Sequence, residues 1–485
     1  MYFLKKSFLL ALVLFSTLFA NSFADTASLL VLHTNDIHDY IKPGPQNVGG
    51  VPYLAGYVVA QRVERGDVLL LDGGDIMEKG DMVAYETKSR ITFEAMGRMG
   101  YTAAAVGNHD KVHGPEHLRE CAALADMAML SLNYRDETGA PHFPAFVSTE
   151  INDIKIGIIG MSRIRTNLEK EGEHLARLAR ELDEQVHLLI VVAHIGTGEL
   201  RRLSHMAPEV DLFIGGHTHE VLQDPVVVPE TNALIVQAGQ YAQYMGHLAL
   251  AVDRTQKNIV WHEGQVVLMC HDTIEPDTEM LAWVHEIEQE YCPEAVELVG
   301  EAGRFINSAE IGCLAAHALK THGDVDVGFC HPGQVIRSGI YEGPVDVNML
   351  FRTGGQRGRN LLLFDLTGRQ LEAYVAGLIQ ERRGRTEWAG FGMTPEYDAE
   401  TRRWSATTTL EPDTTYRVIM TEREYDRRFL RVVEGHPDFE GFHKTAATQA
   451  PFTFTQALTA YVRDISEQGE TLDAHIESLQ EKREQ

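Results

Sequence analysis

Val210-Asp211-Leu212-Phe213-Ile214-Gly215-Gly216-His217-Thr218-His219 decides how this chain is read. The apolar run has the length of a buried strand. Two histidines, two residues apart, follow it in a glycine-rich turn. In open α/β sheets, ligands bind beyond the carboxyl ends of strands. A His-x-His pair alone is as often an incidental surface or packing pair, but four other strand candidates end in similar chemistry. Leu29–Leu32 leads into His33-Thr34-Asn35-Asp36-Ile37-His38, and Val68–Leu71 into Asp72-Gly73-Gly74-Asp75. Ala103–Val106 leads into Gly107-Asn108-His109-Asp110, and Leu188–Val192 into Ala193-His194.

Between these strands, and a sixth at Ile156–Ile159, lie helical patterns at Leu54–Glu64, Thr87–Met99, Glu116–Ala125, Glu171–Leu182 and Glu199–Ala207. Such alternation predicts an α/β domain with helices covering the sheet faces. Leu234–Gln237, Leu248–Val252 and Ile259–Leu268 come without intervening helices, which predicts a second, more antiparallel sheet packed on the first. Taken singly, each strand-end segment has a plain reading. Asp36 can cap a helix, Gly73-Gly74-Asp75 can be a turn, Asn108 can hold a left-handed position, and His194 can be a core histidine. Together they gather oxygen and imidazole donors on one rim, with glycines allowing close backbone approach.

The set Asp36-x-His38, Gly74-Asp75, Gly107-Asn108-His109-Asp110, His194 and Gly216-His217-x-His219 resembles the signature of calcineurin-like metallophosphoesterases. Thr34-Asn35-Asp36-Ile37-His38 and Gly215-Gly216-His217-Thr218-His219 are most similar to the bacterial 5'-nucleotidase/UDP-sugar hydrolase family. The resemblance is specific over about residues 28–250 and weaker from about 300 to 430. It implies a four-layer αββα domain followed by a smaller α+β substrate-binding domain. It also implies that Asp36, His38, Asp75 and His219 hold one metal, while Asp75, Asn108, His194 and His217 hold a second, with Asp75 bridging. Imidazole and carboxylate without sulfur suit two divalent ions such as Zn, Mn, Fe or Co. Two such ions ~3.5–4 Å apart can activate a bridging water and stabilise the charge developing on a phosphoryl group. The catalytic residues implied are Asn108 and His109, the latter not a ligand but beside the leaving oxygen. The nucleotidases often read Gly-Asn-His-Glu-Phe-Asp, whose last Asp orients the catalytic histidine. Here Val112 stands in that place and its side chain cannot accept a hydrogen bond, so either His109 is oriented otherwise or catalysis is weaker or suited to a better leaving group.

The length of 485 residues is too great for one ordinary core, which predicts two or three domains. Residues 1–24 read as a signal peptide, with Lys5 and Lys6 before the apolar run Phe8–Ala20 and Ser22-Phe23-Ala24 at the cleavage point. Cleavage after Ala24 would leave an exported protein with no stable membrane anchor, periplasmic where the cell has an outer membrane and otherwise secreted. The formal net charge is -27, and losing Lys5 and Lys6 makes it more negative still. Such a surface repels a phosphate backbone and argues against a nucleic-acid polymer as partner. Of the five cysteines, Cys270 and Cys292 flank the apparent domain boundary and are the pair expected if one bridge forms. The alternative is that all five are small buried apolar residues.

The domains expected are the metallophosphoesterase domain at 25–272, a linker helix within 273–300, the substrate domain at 301–465 and a polar tail at 466–485, either a solvated helix or frayed. In the second half, Val325–Arg337 lies where the family carries its glycine-rich substrate loop, and Arg337 matches the arginine that contacts substrate phosphate or carboxylate. Phe351 either stacks on a base or belongs to the core. The family's usual Asn is replaced by Cys313, the glycine run has become His331-Pro332-Gly333-Gln334, and no second base-stacking aromatic is recognisable near Tyr425. The resulting expectation is a monomeric, exported dimetal hydrolase of small phosphate esters, chiefly nucleoside 5'-monophosphates or related nucleotides. Its rivals are a dimetal hydrolase of another anion, such as a thiosulfohydrolase, and a non-catalytic metal-containing binding protein.

Overall fold

The computed structural model describes residues 25–380, 386–399, 403–440, 442 and 447–484; the expected signal peptide lies outside the described residues. The chain forms two compact units, with the boundary between Ile287 and Glu288. That boundary falls inside a helix, Thr278–Tyr291.

The first unit is built on twelve strands: β1 (Thr26–Thr34), β2 (Val68–Asp72), β3 (Ala103–Ala105), β4 (Ala128–Leu130), β5 (Phe146–Ile151), β6 (Ile154–Met161), β7 (Leu188–Ala193), β8 (Leu212–Ile214), β9 (Val226–Val227), β10 (Leu234–Val236), β11 (Tyr244–Asp253) and β12 (Asn258–Leu268). They make two six-stranded mixed sheets, ordered β12-β11-β1-β2-β3-β4 and β5-β6-β7-β8-β10-β9. The central strands β1 to β4 run parallel, as do β6, β7, β8 and β10. Side chains alternate across each strand. Leu29, Val31, Leu69 and Leu71 of one sheet therefore meet Ile156, Ile158, Ile190, Val192 and Leu212 of the other in a shared core. Leu189, Val191 and Phe213 turn the opposite way, onto Leu175, Leu182, Leu200 and Leu203 of the helices Leu168–Asp183 and Thr197–Met206. The helices Val51–Arg65, Arg90–Met99 and Gly114–Leu124 complete the layers on the first sheet.

The late strands correct the sequence expectation. They do not form a sheet of their own. β11 pairs antiparallel with β1 and carries β12 at the edge of the first sheet, whereas β10 joins β8 in parallel in the second. Of the two readings of the cysteines, the buried apolar one holds and the Cys270–Cys292 bridge does not form. All five cysteines are free and buried, and the Cys270 thiol sits 3.3 Å from the Thr273 hydroxyl.

The second unit continues with β13 (Leu298–Ala302), β14 (Val327–Cys330), β15 (Gly343–Asp346), β16 (Leu361–Thr367), β17 (Glu387–Ala389), β18 (Met393–Asp398), β19 (Arg403–Thr408), β20 (Thr415–Thr421) and β21 (Thr448–Gln449). A five-stranded sheet, β17-β14-β20-β16-β21, packs Phe329, Phe364 and Met420 against Tyr374, Tyr425 and Phe429. Asn307 and Glu310 close a capping box on the helix Ser308–Gly323, which satisfies N–H groups that a helix start leaves without partners. The expected polar tail is a docked helix, Leu472–Glu484. Leu472 and Ile476, one turn apart, are both buried, and Asp473 accepts from the Gly303 N–H at 2.7 Å.

Candidate metal centre

Because β1, β2, β3, β7 and β8 run in parallel sets, their carboxyl ends release five loops at one edge of the first unit. Two groups of donor atoms converge there. Asp36, His38 and His219 form one, and Asp75, His194 and His217 the other; within each, the donor atoms lie within 4.8 Å of one another. Asp75 Oδ2 is 3.0 Å from His194 Nε2 and 3.8 Å from His38 Nε2, so one carboxylate oxygen stands between the groups.

The loops hold these side chains in a strained backbone. Asp36, His38, Asp75, His217 and His219 all have positive φ, between 53° and 73°. Side chains with a Cβ rarely adopt that region, and such strain persists only where the surroundings over-determine it. Here the surroundings do. The N–H of Asp36 donates to Gly74 O at 2.9 Å, that of His38 to Asp75 O at 3.0 Å, and that of His217 to Asp36 Oδ2 at 2.9 Å. Gly107 has to lack a side chain, because a Cβ would sit 2.1 Å from Asp75 Oδ1.

Outer hydrogen bonds fix which nitrogen of each ring faces inward. His38 Nδ1 is 3.1 Å from Met77 O and His194 Nδ1 is 3.1 Å from Gly73 O, so each Nδ1–H donates to a carbonyl and leaves Nε2 as the donor atom. Burial alone would raise the carboxyls of Asp36 and Asp75. The imidazoles beside them, His219 and His38 for Asp36 and His194 for Asp75, outweigh it and hold both carboxyls below their ordinary range. Burial, helped by the charge of His194, pulls His217 down to about 4, which favours the neutral ring a metal requires.

The donors fit a divalent cation. They are nitrogen and oxygen only. His219 Nε2 lies 3.1 Å from Asp36 Oδ1, yet Asp36 Oδ1, His194 Nε2 and Asn108 Oδ1 are all buried without a partner in hydrogen-bonding geometry. Each such atom costs about 1–3 kcal/mol unless something else satisfies it, and a cation does. Lys79 Nζ stands 2.6 Å from His38 Nε2, so an ion in the first group requires that side chain to move aside.

Three neighbours carry no metal-ligand signal in the sequence. The Asp110 carboxylate accepts four backbone N–H groups, those of Asp75 (3.0 Å), Ile76 (2.8 Å), Met77 (3.1 Å) and Gly107 (2.7 Å), and ties two ligand loops together. Burial, with the charge of Asp75, pushes Asp110 up to about 6. Asp39 accepts from the Glu78 N–H (2.6 Å), Ser89 Oγ (2.8 Å) and Thr92 Oγ1 (2.5 Å). Glu78, in turn, meets His109 Nδ1 through its carboxylate. The His109 N–H donates to Asp75 Oδ1 at 2.7 Å, and its ring lies 5.0 Å from that of His38. Val112 is exposed in the turn that follows. In the second unit, Arg337 is exposed and its N–H donates to Thr353 O at 2.6 Å. Phe351 is buried in a π-helical turn, Phe351–Gly355.

This fold and paired centre define a calcineurin-like metallophosphoesterase, and residues 29–221 match the family model described as calcineurin-like phosphoesterase. Within that class the chain is similar to 5'-nucleotidases, among them that of Vibrio vulnificus at 26% identity over 81% of this chain and 84% of the relative. It is similar to the uncharacterized metallophosphoesterase YunD of Bacillus subtilis, at 24% identity over 76% of this chain and 82% of the relative. It is similar also to the endonuclease YhcR of the same organism, at 25% identity over 80% of this chain, but spans only 36% of that protein. Among solved structures, the 5'-nucleotidase precursor of Thermus thermophilus superposes with a TM-score of 0.67 at 20% identity, covering 90% of this chain and 97% of its own. The sulfate thiohydrolase SoxB of the same organism gives 0.65 at 16%, covering 90% and 94%. At these identities the superpositions bear on fold alone. Among the described residues, no helix is long and apolar enough to cross a membrane.

Proposed function

We propose that this dimetal phosphoesterase is an exported hydrolase that releases phosphate from nucleoside 5'-monophosphates or related nucleotides. The observation that carries the reading is Asp75. One oxygen stands between the two donor groups and the other accepts from the His109 N–H, so the ligand set and the general acid are built on one carboxylate. When bound, two divalent ions would supply the Lewis acidity that activates a water and offsets charge on the phosphoryl oxygens. Asp36, His38, Asp75 and His219 would hold one, and Asp75, Asn108, His194 and His217 the other. His109 then holds the proton that the leaving oxygen takes, and Arg337 is the candidate for the substrate's anionic group.

A second reading, hydrolysis of a different anion, draws on the buried Phe351, since no base-stacking ring is then assigned in the second unit. The test is product release from a panel of nucleoside monophosphates, UDP-glucose, a cyclic nucleotide, 4-nitrophenyl phosphate and thiosulfate, with Mn, Zn or Co supplied. Nucleotide turnover abolished by His217→Ala supports the proposal. Turnover of thiosulfate alone, or none with two metals bound, overturns it.

A further inference from the structure

We propose that Glu78 is the positioning residue of His109, taking up in this chain the task that Val112 cannot perform. The inference rests on the reading of His109 as the proton donor to the leaving oxygen. Glu78 Oε2 meets His109 Nδ1 directly. An Nδ1–H donated to a carboxylate fixes the ring plane and puts Nε2 on the opposite side of the ring. The two other acids close to His109 are otherwise engaged. Asp75 Oδ1 takes the His109 backbone N–H, and Asp110 is occupied by four backbone N–H groups. The Val112 side chain has no acceptor and is 45% exposed.

The Glu78 backbone is held in turn. Its own N–H donates to the buried Asp39 carboxylate at 2.6 Å, and Asp39 is clamped by Ser89 and Thr92. Two residues on, a Cβ at Gly80 would lie 2.1 Å from the Asp39 backbone, so the segment after Glu78 is pressed against the loop that carries His38. The side chains of His109 and Glu78 are 22% and 27% exposed. A charge-assisted hydrogen bond in such a half-buried place is roughly twice as strong as a neutral one. In the step itself, the water oxygen bonds to phosphorus while the bond from phosphorus to the leaving oxygen breaks. That bond's electron pair stays on the leaving oxygen, which takes the Nε2 proton. The ring goes neutral and keeps its Nδ1–H on Glu78.

The test has two readouts. In the resting full-length protein, labelled at histidine nitrogens, His109 Nδ1–H should give a low-field proton signal. It should move upfield in Glu78→Gln and vanish in His109→Ala. With metals loaded, Glu78→Gln should lower kcat for an alkyl monophosphate such as AMP by about tenfold or more. The loss should be small for 4-nitrophenyl phosphate, whose leaving group needs little protonation, and KM and metal content should be unchanged. Glu78→Asp should recover part of the rate, and Glu78→Gln should add little to His109→Ala. An unmoved proton signal, equal loss on both esters, loss of metal, or full additivity with His109→Ala would each overturn the proposal. If His109→Ala itself shows no dependence on the leaving group while the proton signal behaves as expected, the contact stands. It is then the proton-donor reading, and with it the positioning role, that fails.

Discussion

A single methyl group at Gly107 tests whether the two ligand loops are packed as tightly as the structure describes. In Gly107→Ala the new Cβ would lie 2.1 Å from Asp75 Oδ1, 2.2 Å from Asp75 N and 2.8 Å from Asp75 Cα. Two of these are backbone atoms, so no side-chain rotation relieves the clash. Bringing the contact to an ordinary distance moves Asp75 or the Gly107 loop by about 1 Å. Both loops are fastened to Asp110, through Asp75 N at 3.0 Å and Gly107 N at 2.7 Å, so the displacement also pulls on those bonds. Overpacking of this kind costs about 1–3 kcal/mol, and a ~1 Å misplacement of reacting groups costs on the order of 10²-fold in rate. The expected result is a lowered melting temperature, less than two metals per chain by elemental analysis and turnover down about 10²-fold. Gly198→Ala is the control. It lies in the helix Thr197–Met206 with nothing within 4 Å of the added atom, and it should leave stability unchanged or slightly higher. Full metal content and turnover in Gly107→Ala would refute the reasoning.

Other perturbations separate electrostatics from packing. Lys79→Ala removes an ammonium 2.6 Å from His38 Nε2 and should tighten Mn or Zn binding at the group formed with Asp36 and His219; titration calorimetry showing equal or weaker binding would contradict this. In the second unit, burial pushes the Glu424 carboxyl up to about 8 from an ordinary value near 4.5, against the N–H of His331 that it accepts. The folded state therefore binds the proton more tightly, so stability is lost as pH rises from about 4.5 to 8, by at most about 1.4 kcal/mol per unit. Glu424→Gln should flatten that slope in thermal melts, and parallel pH profiles for the two proteins would rule the burial argument out. Denaturation without reductant should release five reactive thiols; three would restore a disulfide.

What the amino-acid pattern disclosed follows from burial on two faces. Strands such as Leu188–Ala193 and Leu212–Ile214 are covered on both sides, so they read as unbroken apolar runs wherever they sit. Their ends stand out because the residues that follow switch at once to Asp, Asn and His. β11 and β12 misled for the complementary reason. An antiparallel strand alternates in the same way whichever sheet it joins, and only pairing with β1 decides the matter.

Asp110, Asp39 and Glu78 were illegible for a different reason. Their roles depend on which backbone N–H groups or ring nitrogens lie near them after folding, and apart from Gly107, three residues before Asp110, those partners are 31 to 53 residues away and leave no period in the sequence. Val112 marked only the lack of an expected acceptor for His109 and did not indicate where a replacement would come from. Glu78 lies three residues after Asp75, on the loop that supplies the shared carboxylate, so one segment carries both the metal ligand and the group that meets His109. A carboxylate on that loop reaches Nδ1 from the β2 side, whereas a residue at Val112 would have to reach it from the histidine's own turn. The same hydrogen bond can thus be built from either side. That is why a departure from a motif at one position does not predict a missing function until the facing loop has been placed.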